Sequence, residues 1–137
     1  MSRRAQNFWE LDVYGQAFAV AQTIFQLSKT FPKEESYSLT DQIRRASRSV
    51  GAHIAEAWGN RRYKRYFVRT LAGADSEQLE VQHWVRTAAA CGYLSRDQED
   101  ELSAKLASIG RMLQTMMDKA HLFCRPNAAT TDHRPPA

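Results

Sequence analysis

The chain has 137 residues, 43% hydrophobic and 25% charged, which is enough for one buried core without disulfide or metal staples. Its apolar runs, such as Ala17 to Ala21, are far too short to cross a bilayer, and no apolar signal core follows the basic Met1-Ser2-Arg3-Arg4 start, so a cytoplasmic protein with no membrane association is expected. The net charge of +4 is unevenly spread: residues 41–70 carry eight cations against two acids, and residues 71–107 carry three cations against seven acids.

Four segments carry helical periodicity. The first runs from about Trp9 to Lys29, with Leu11, Tyr14, Ala17, Ala21, Ile24, Phe25 and Ser28 on one stripe. Phe31-Pro32 stops it, because the residue before proline is pushed out of the α region. A polar linker, Lys33-Glu34-Glu35-Ser36-Tyr37, follows. The second segment runs from about Leu39 to Trp58, with Ser38 or Thr40 as N-cap. Its stripe is Leu39, Ile43, Ala46, Val50, Ile54 and Ala57. Gly59-Asn60 ends it, since both residue types tolerate a left-handed backbone.

The third segment runs from about Tyr63 to Cys91, with Phe67, Leu71, Ala74, Gln78, Val81, Val85 and Ala88 in line, and Gly92 placed to end it. The fourth runs from about Arg96 to Cys124. Ser95 and Gln98 form a capping box, and Leu102, Leu106, Ile109, Leu113, Met116, Ala120 and Phe123 make the stripe. Residues 125–137 hold three of the four prolines and no periodicity, and are expected to be a disordered tail. Nothing reads as a strand. Short connections force antiparallel neighbours, so the expected fold is an all-α, up-down-up-down antiparallel four-helix bundle over residues 1–124. Each helix also holds one interior glycine, Gly15, Gly51, Gly73 and Gly110, which marks either close crossings, close subunit contacts or simple tolerance.

Several motifs together point to a family. They are Phe8-Trp9-Glu10-Leu11, Phe31-Pro32-Lys33-Glu34-Glu35, the run Leu39-Thr40-Asp41-Gln42-Ile43-Arg44-Arg45-Ala46-Ser47-Arg48-Ser49-Val50 with Ile54-Ala55-Glu56-Ala57, and Gly73 followed by Glu77. On these the chain resembles the four-helix bundle proteins first noticed as reading frames in intervening sequences of bacterial 23S ribosomal RNA genes. The pattern spans roughly Phe8 to Phe123. His53 stands where the family usually has asparagine, Ala57 where it usually has glycine, and Ala74 where it usually has serine. Members are similar to the accessory protein of diversity-generating retroelements, a pentameric barrel that binds nucleic acid and a reverse transcriptase. The resemblance implies a homo-oligomeric ring, with five subunits favoured, RNA or DNA as a partner, and no enzymatic activity.

The basic segment is the main candidate for function. Arg44, Arg45 and Arg48 lie within one turn of the second helix, away from its apolar stripe. Arg61, Arg62, Lys64, Arg65 and Arg69 continue the charge around the following turn, with Tyr63 and Tyr66 interleaved. Arginine forks suit phosphate oxygens and aromatic faces suit unpaired bases. The candidate nucleic-acid contacts are Arg44, Arg45, Arg48, Arg61, Arg62, Lys64 and Arg65. The alternative is a face neutralised by Glu56, Asp75, Glu77 or Glu80 of the same or a neighbouring subunit, with Arg45 as an ion-pair partner of Glu56 or Glu77. A protein-binding scaffold with no nucleic-acid role is then the rival function.

No catalytic residue, metal site or cofactor is expected. The only Glu-x-x-His pattern, Glu80 to His83, would need Asp118 and His121 as its second half. The turn near Gly92 places His83 and His121 roughly 25 Å apart along antiparallel helices. No phosphate-cradling or nucleophile-elbow glycine pattern occurs. Cys91 and Cys124 lack paired spacing and read as buried or semi-buried structural thiols. His53, among arginines, reads as a polar core or interface residue. Trp9, Trp58 and Trp84 are more than one small bundle needs, and suit either subunit contacts or internal packing.

Overall fold

A computed structural model describes residues 4–124. The expected disordered tail lies outside the described residues. After a 3₁₀ turn at Phe8–Glu10 come helices α1 (Asp12–Ser28), α2 (Leu39–Gly59), α3 (Lys64–Ala90), α4 (Arg96–Asp118) and a single turn, α5 (Ala120–Phe123). Another 3₁₀ turn, Lys33–Glu35, links α1 to α2. No strand occurs among the described residues. Helix α2 packs on α1 and α3, and α4 packs on α3 and α1, while the diagonal pairs do not meet. This is the antiparallel four-helix bundle expected from the short connections.

The stripes expected for the second and third helices are buried throughout. Ile54, Ala57, Phe67, Leu71, Ala74, Val81, Val85 and Ala88 are fully sequestered, and Ile109 and Leu113 of α4 face them. The first helix differs from expectation. It starts at Asp12 because Leu11 is extended, and its buried stripe is Val13, Ala17, Val20, Ala21, Ile24 and Ser28. Tyr14 and Phe25 are only half-buried. The N-terminal turn is held instead by Glu10, whose carboxylate accepts from the backbone N–H of Gln6 at 2.7 Å.

The helix ends show which local signals act. Ser95 accepts from the Gln98 N–H, and the Gln98 side chain accepts from the Ser95 N–H, which completes the expected capping box. Gly92 has φ +82°, and its neighbours bond back as Gly92 N–H to Ala89 O and Tyr93 N–H to Ala88 O. That is a Schellman stop. Helix α2 ends differently from expectation: Asn60 has φ −113°, and its side chain donates to Glu56 O at 2.9 Å. The continuous fourth helix is also interrupted. Lys119 leaves helical geometry, and the chain turns so that Phe123 stacks on Phe67 at 6.0 Å.

Ser38 occupies the N-cap position of α2 but does not cap with its own side chain. Glu35 does that work. It accepts from the Ser38 hydroxyl at 2.6 Å, from the Leu39 N–H at 3.4 Å, and from the Tyr93 hydroxyl at 2.9 Å. One carboxylate in the α1–α2 connection therefore holds the α3–α4 turn as well. These bonds push the Tyr93 hydroxyl up to about 12 and pull the Glu35 carboxyl below its ordinary value.

Three of the four interior glycines seat a side chain from another helix. An added Cβ at Gly73 would lie 2.9 Å from the His53 ring, and one at Gly110 would lie 2.7 Å from the Gln78 amide. At Gly51 the Tyr14 ring sits 3.5 Å away, while Gly15 faces open space. Gln78 is buried on the α3 stripe, and its amide is satisfied by Asp75 at 2.9 Å and Gln82 at 2.7 Å.

Candidate nucleic-acid interface

The candidate cations do not form one patch. At about 1.5 Å per residue, about 16 Å of α2 lies between Arg48 and the helix end at Gly59, just before Arg61. The first group sits near the start of α2 and the second at the α2–α3 turn.

Within the first group the helix divides the arginines between its two flanks. Arg44 reaches toward α1, where its Nε donates to the Ser28 hydroxyl at 2.7 Å and its guanidinium lies 4.7 Å from the Phe25 ring centroid. Arg48 lies 5.2 Å from the same ring, and Lys29 lies 4.9 Å from it. Three cations thus converge on one phenylalanine, whose π face offsets part of their mutual repulsion. Lys29 was not a sequence candidate. Its spacing four residues after Phe25 on α1 is the signal that finds it. Arg45 points the other way. Its Nη2 donates to Glu80 at 2.8 Å, with Glu77 at 3.9 Å, and the Trp84 indole also donates to Glu80 at 2.9 Å. Arg45 is therefore neutralised within the chain, chiefly by Glu80 and more weakly by Glu77, not by Glu56. One oxygen of Glu77 is buried with no hydrogen-bond partner. Between the flanks, Asp41, Arg44, Arg45, Arg48, Ser49 and Ala52 line an open groove of about 530 Å³.

The second group combines cations with rings. Arg61 stacks 3.6 Å from the Trp58 centroid and its Nε donates to Trp58 O. Arg62 lies 5.9 Å from the Tyr63 ring and Arg69 lies 5.5 Å from the Tyr66 ring. Tyr66 donates to Glu56 at 2.7 Å, which raises the Tyr66 pKa and occupies the one acid of α2 near this end. Lys64 and Arg65 are exposed in the first turn of α3, which has no acid and no side-chain cap. Cations there oppose the helix dipole. Burial raises the Cys124 thiol pKa against the smaller opposing effect of Lys64 and Arg61, whereas Cys91, expected buried or semi-buried, is exposed just past the end of α3.

The tryptophans are less exposed than their number suggests. Trp58 is buried under Arg61, Trp84 is half-buried against Glu80, and only Trp9 stands out, 60% exposed. Phe18, Leu79 and Leu122, each more than half exposed, are apolar residues absent from the sequence candidates, and Phe18 among them lies beside a groove. With Phe8, Tyr14, Ala52 and Ala55 it lines an apolar groove of about 380 Å³ between α1 and α2, and Arg48 closes one side. Among the described residues no three His, Cys, Asp or Glu gather as metal ligands, and no helix is long and apolar enough to cross a membrane. Glu80 is engaged by Arg45 and Trp84, and His83 stands exposed against the Trp84 ring.

A four-helix bundle with two groups of surface cations defines a class of small all-α proteins rather than one activity. Residues 9–115 match the profile of the 23S rRNA-intervening sequence proteins. The chain belongs to that family. Among solved structures it is similar to a protein of unknown function from the S23 ribosomal protein family of Bacteroides thetaiotaomicron. The TM-score is 0.70 at 24% identity, over 77% of this chain and 95% of that one. That likeness bears on the fold alone. No curated protein matches the chain.

Proposed function

We propose that this chain is a non-enzymatic, homo-oligomeric bundle of the cytoplasm that binds RNA or DNA through its basic surface. The observation that carries this is electrostatic. Arg44, Arg48, Arg62, Lys64 and Arg65 make no ion pair among the described residues, although seven acids lie in residues 71–107 of the same chain. Uncompensated cations repel one another, and a polyphosphate backbone relieves that repulsion by releasing its counterions. The contacts are assigned to phosphate oxygens, which guanidinium and ammonium groups bind without regard to sequence. Arg45 contributes least, because Glu80 already holds it.

Assembly is assigned to the Phe18 groove. Exposed Phe18 and Trp9 beside an apolar groove suit burial against another copy, and the family resemblance favours a ring of five. A protein-binding scaffold is the second reading, favoured by the same groove. The test is the double variant Arg44→Ala with Arg48→Ala. Weaker binding of a labelled RNA at unchanged molar mass by light scattering supports the binding role. Loss of assembly makes those arginines structural, and unchanged binding removes them from the interface.

A further inference from the structure

We propose that the α2–α3 turn is a stacking site for unpaired bases, so that the nucleic acid bound here is single-stranded. This rests on the nucleic-acid reading above and assigns different work to the two cationic groups. At the start of α2 the ring in cation contact is Phe25, which Lys29, Arg44 and Arg48 share, while the Phe8, Tyr14 and Phe18 rings beside Arg48 line the apolar groove assigned above to assembly. That group shares one ring among three cations rather than giving each its own. At the turn the ratio is reversed: three arginines are each paired with a separate ring, Arg61 with Trp58, Arg62 with Tyr63 and Arg69 with Tyr66.

Two of those pairs are held in place by hydrogen bonds that do not involve a ligand. The Arg61 Nε is tied to Trp58 O, and the Tyr66 hydroxyl is tied to Glu56. Tyr63 and Tyr66 are half-buried, so each ring is anchored at one edge while Arg62 and Arg69 beside them are exposed. A flat ring next to a planar guanidinium extends a stack when a base joins it. A duplex keeps its base faces inside its own stack and presents only phosphates, whereas an unpaired strand offers both. Rings and cations interleaved over residues 61–69 therefore match a strand whose bases are free.

The test is fluorescence anisotropy of the intact chain with a labelled, unstructured RNA strand, the same strand annealed to its complement, and a DNA strand of the same sequence. The single strands are expected to bind about tenfold more tightly than the duplex. Tyr63→Leu and Tyr66→Leu are each expected to lower single-strand affinity about tenfold while leaving duplex affinity and the salt slope unchanged. Tyr66→Phe keeps the ring and should restore most of the single-strand affinity. RNA above DNA would place a 2′-hydroxyl in the contact, and equal affinity would place only bases and phosphates there, with the stacking site standing in both cases. Equal affinity for strand and duplex, or a parallel loss of both in Tyr63→Leu, would overturn the stacking site and leave the basic-surface reading intact. Absence of binding to any of the three at low salt would overturn both. Tyr63 lies at the N-cap position with no capping bond, so its variant tests the idea even if Tyr66→Leu fails to fold.

Discussion

Gly73 and His53 show how one residue sets the requirement for another across two helices. His53 is anchored through its Nδ1 to Ser49 O at 2.8 Å, and its ring fills the space where a Gly73 Cβ would stand. Gly73→Ala is therefore expected to destabilise the bundle by about 1–3 kcal/mol, measured by urea unfolding. In a His53→Ala background the same change should become neutral or stabilising, since alanine is the better helix former by about 1 kcal/mol. An unchanged cost in that background would mean the glycine is needed for another reason. Glu35 makes a second residue-scale case. Its carboxyl pKa is lowered by the Ser38 and Tyr93 hydroxyls, so its ionised form is favoured in the folded state. A depressed carboxylate contributes stability above its unfolded value, and that contribution is lost as pH falls through the folded one. Glu35→Gln is expected to flatten the acid side of the stability–pH curve below about 4.5 and to leave its shape from pH 6 to 8 unchanged. The motif positions in the sequence pointed to Glu35 only as part of a linker. Its partner Tyr93 is distant in the chain, and no local pattern encodes that pairing.

At the scale of elements, α2 and α3 were legible because each has one apolar stripe and polar residues elsewhere. Helix α1 was legible as a helix but only in part of its buried stripe, because Tyr14, Phe18 and Phe25 spread apolar surface round most of its circumference, and periodicity then fits more than one face. The stripe placed through Tyr14 and Phe25 missed Val13 and Val20, which the bundle buries. The spacing between the two basic groups was likewise not legible. Sequence adjacency through the turn hides the length of helix between Arg48 and Arg61, and it cannot show that Arg44 and Arg45 leave α2 on opposite flanks. The surplus apolar surface of α1 has a consequence. If the Phe18 groove is where copies meet, Phe18→Asp should reduce molar mass in light scattering without loss of helical circular dichroism. An unchanged molar mass would move assembly to another face. Gly15 gives an independent check, because nothing within one chain crowds it. Gly15→Ala should stabilise a monomer by about 1 kcal/mol, so a weakened assembly instead would place α1 against a neighbour.

For the whole molecule the decisive property is how charge is distributed, not how much there is. The chain carries only +4, yet its cations concentrate on α2 and the following turn while its acids cluster in α3 and the start of α4. Arg45 shows the acids of α3 reaching across to α2, while Arg44, Arg48, Arg62, Lys64 and Arg65 make no ion pair among the described residues. The sequence could identify the candidates, because composition alone locates a basic segment. It also marked Arg45 as an ion-pair partner, of Glu56 or Glu77, but could not show that Glu80 holds it most closely, since that depends on α2 and α3 lying antiparallel in one register. The most direct measurement is the salt dependence of binding to a labelled single-stranded RNA, for the unaltered chain and for Arg44→Ala with Arg48→Ala. Each neutralised phosphate contributes about −0.7 to the slope of log affinity against log salt for a single strand. A steep slope that becomes shallower by about 1.4 in the double variant is the expected result. No binding at low salt, or a slope indifferent to both arginines, would contradict the assignment of this surface to nucleic acid.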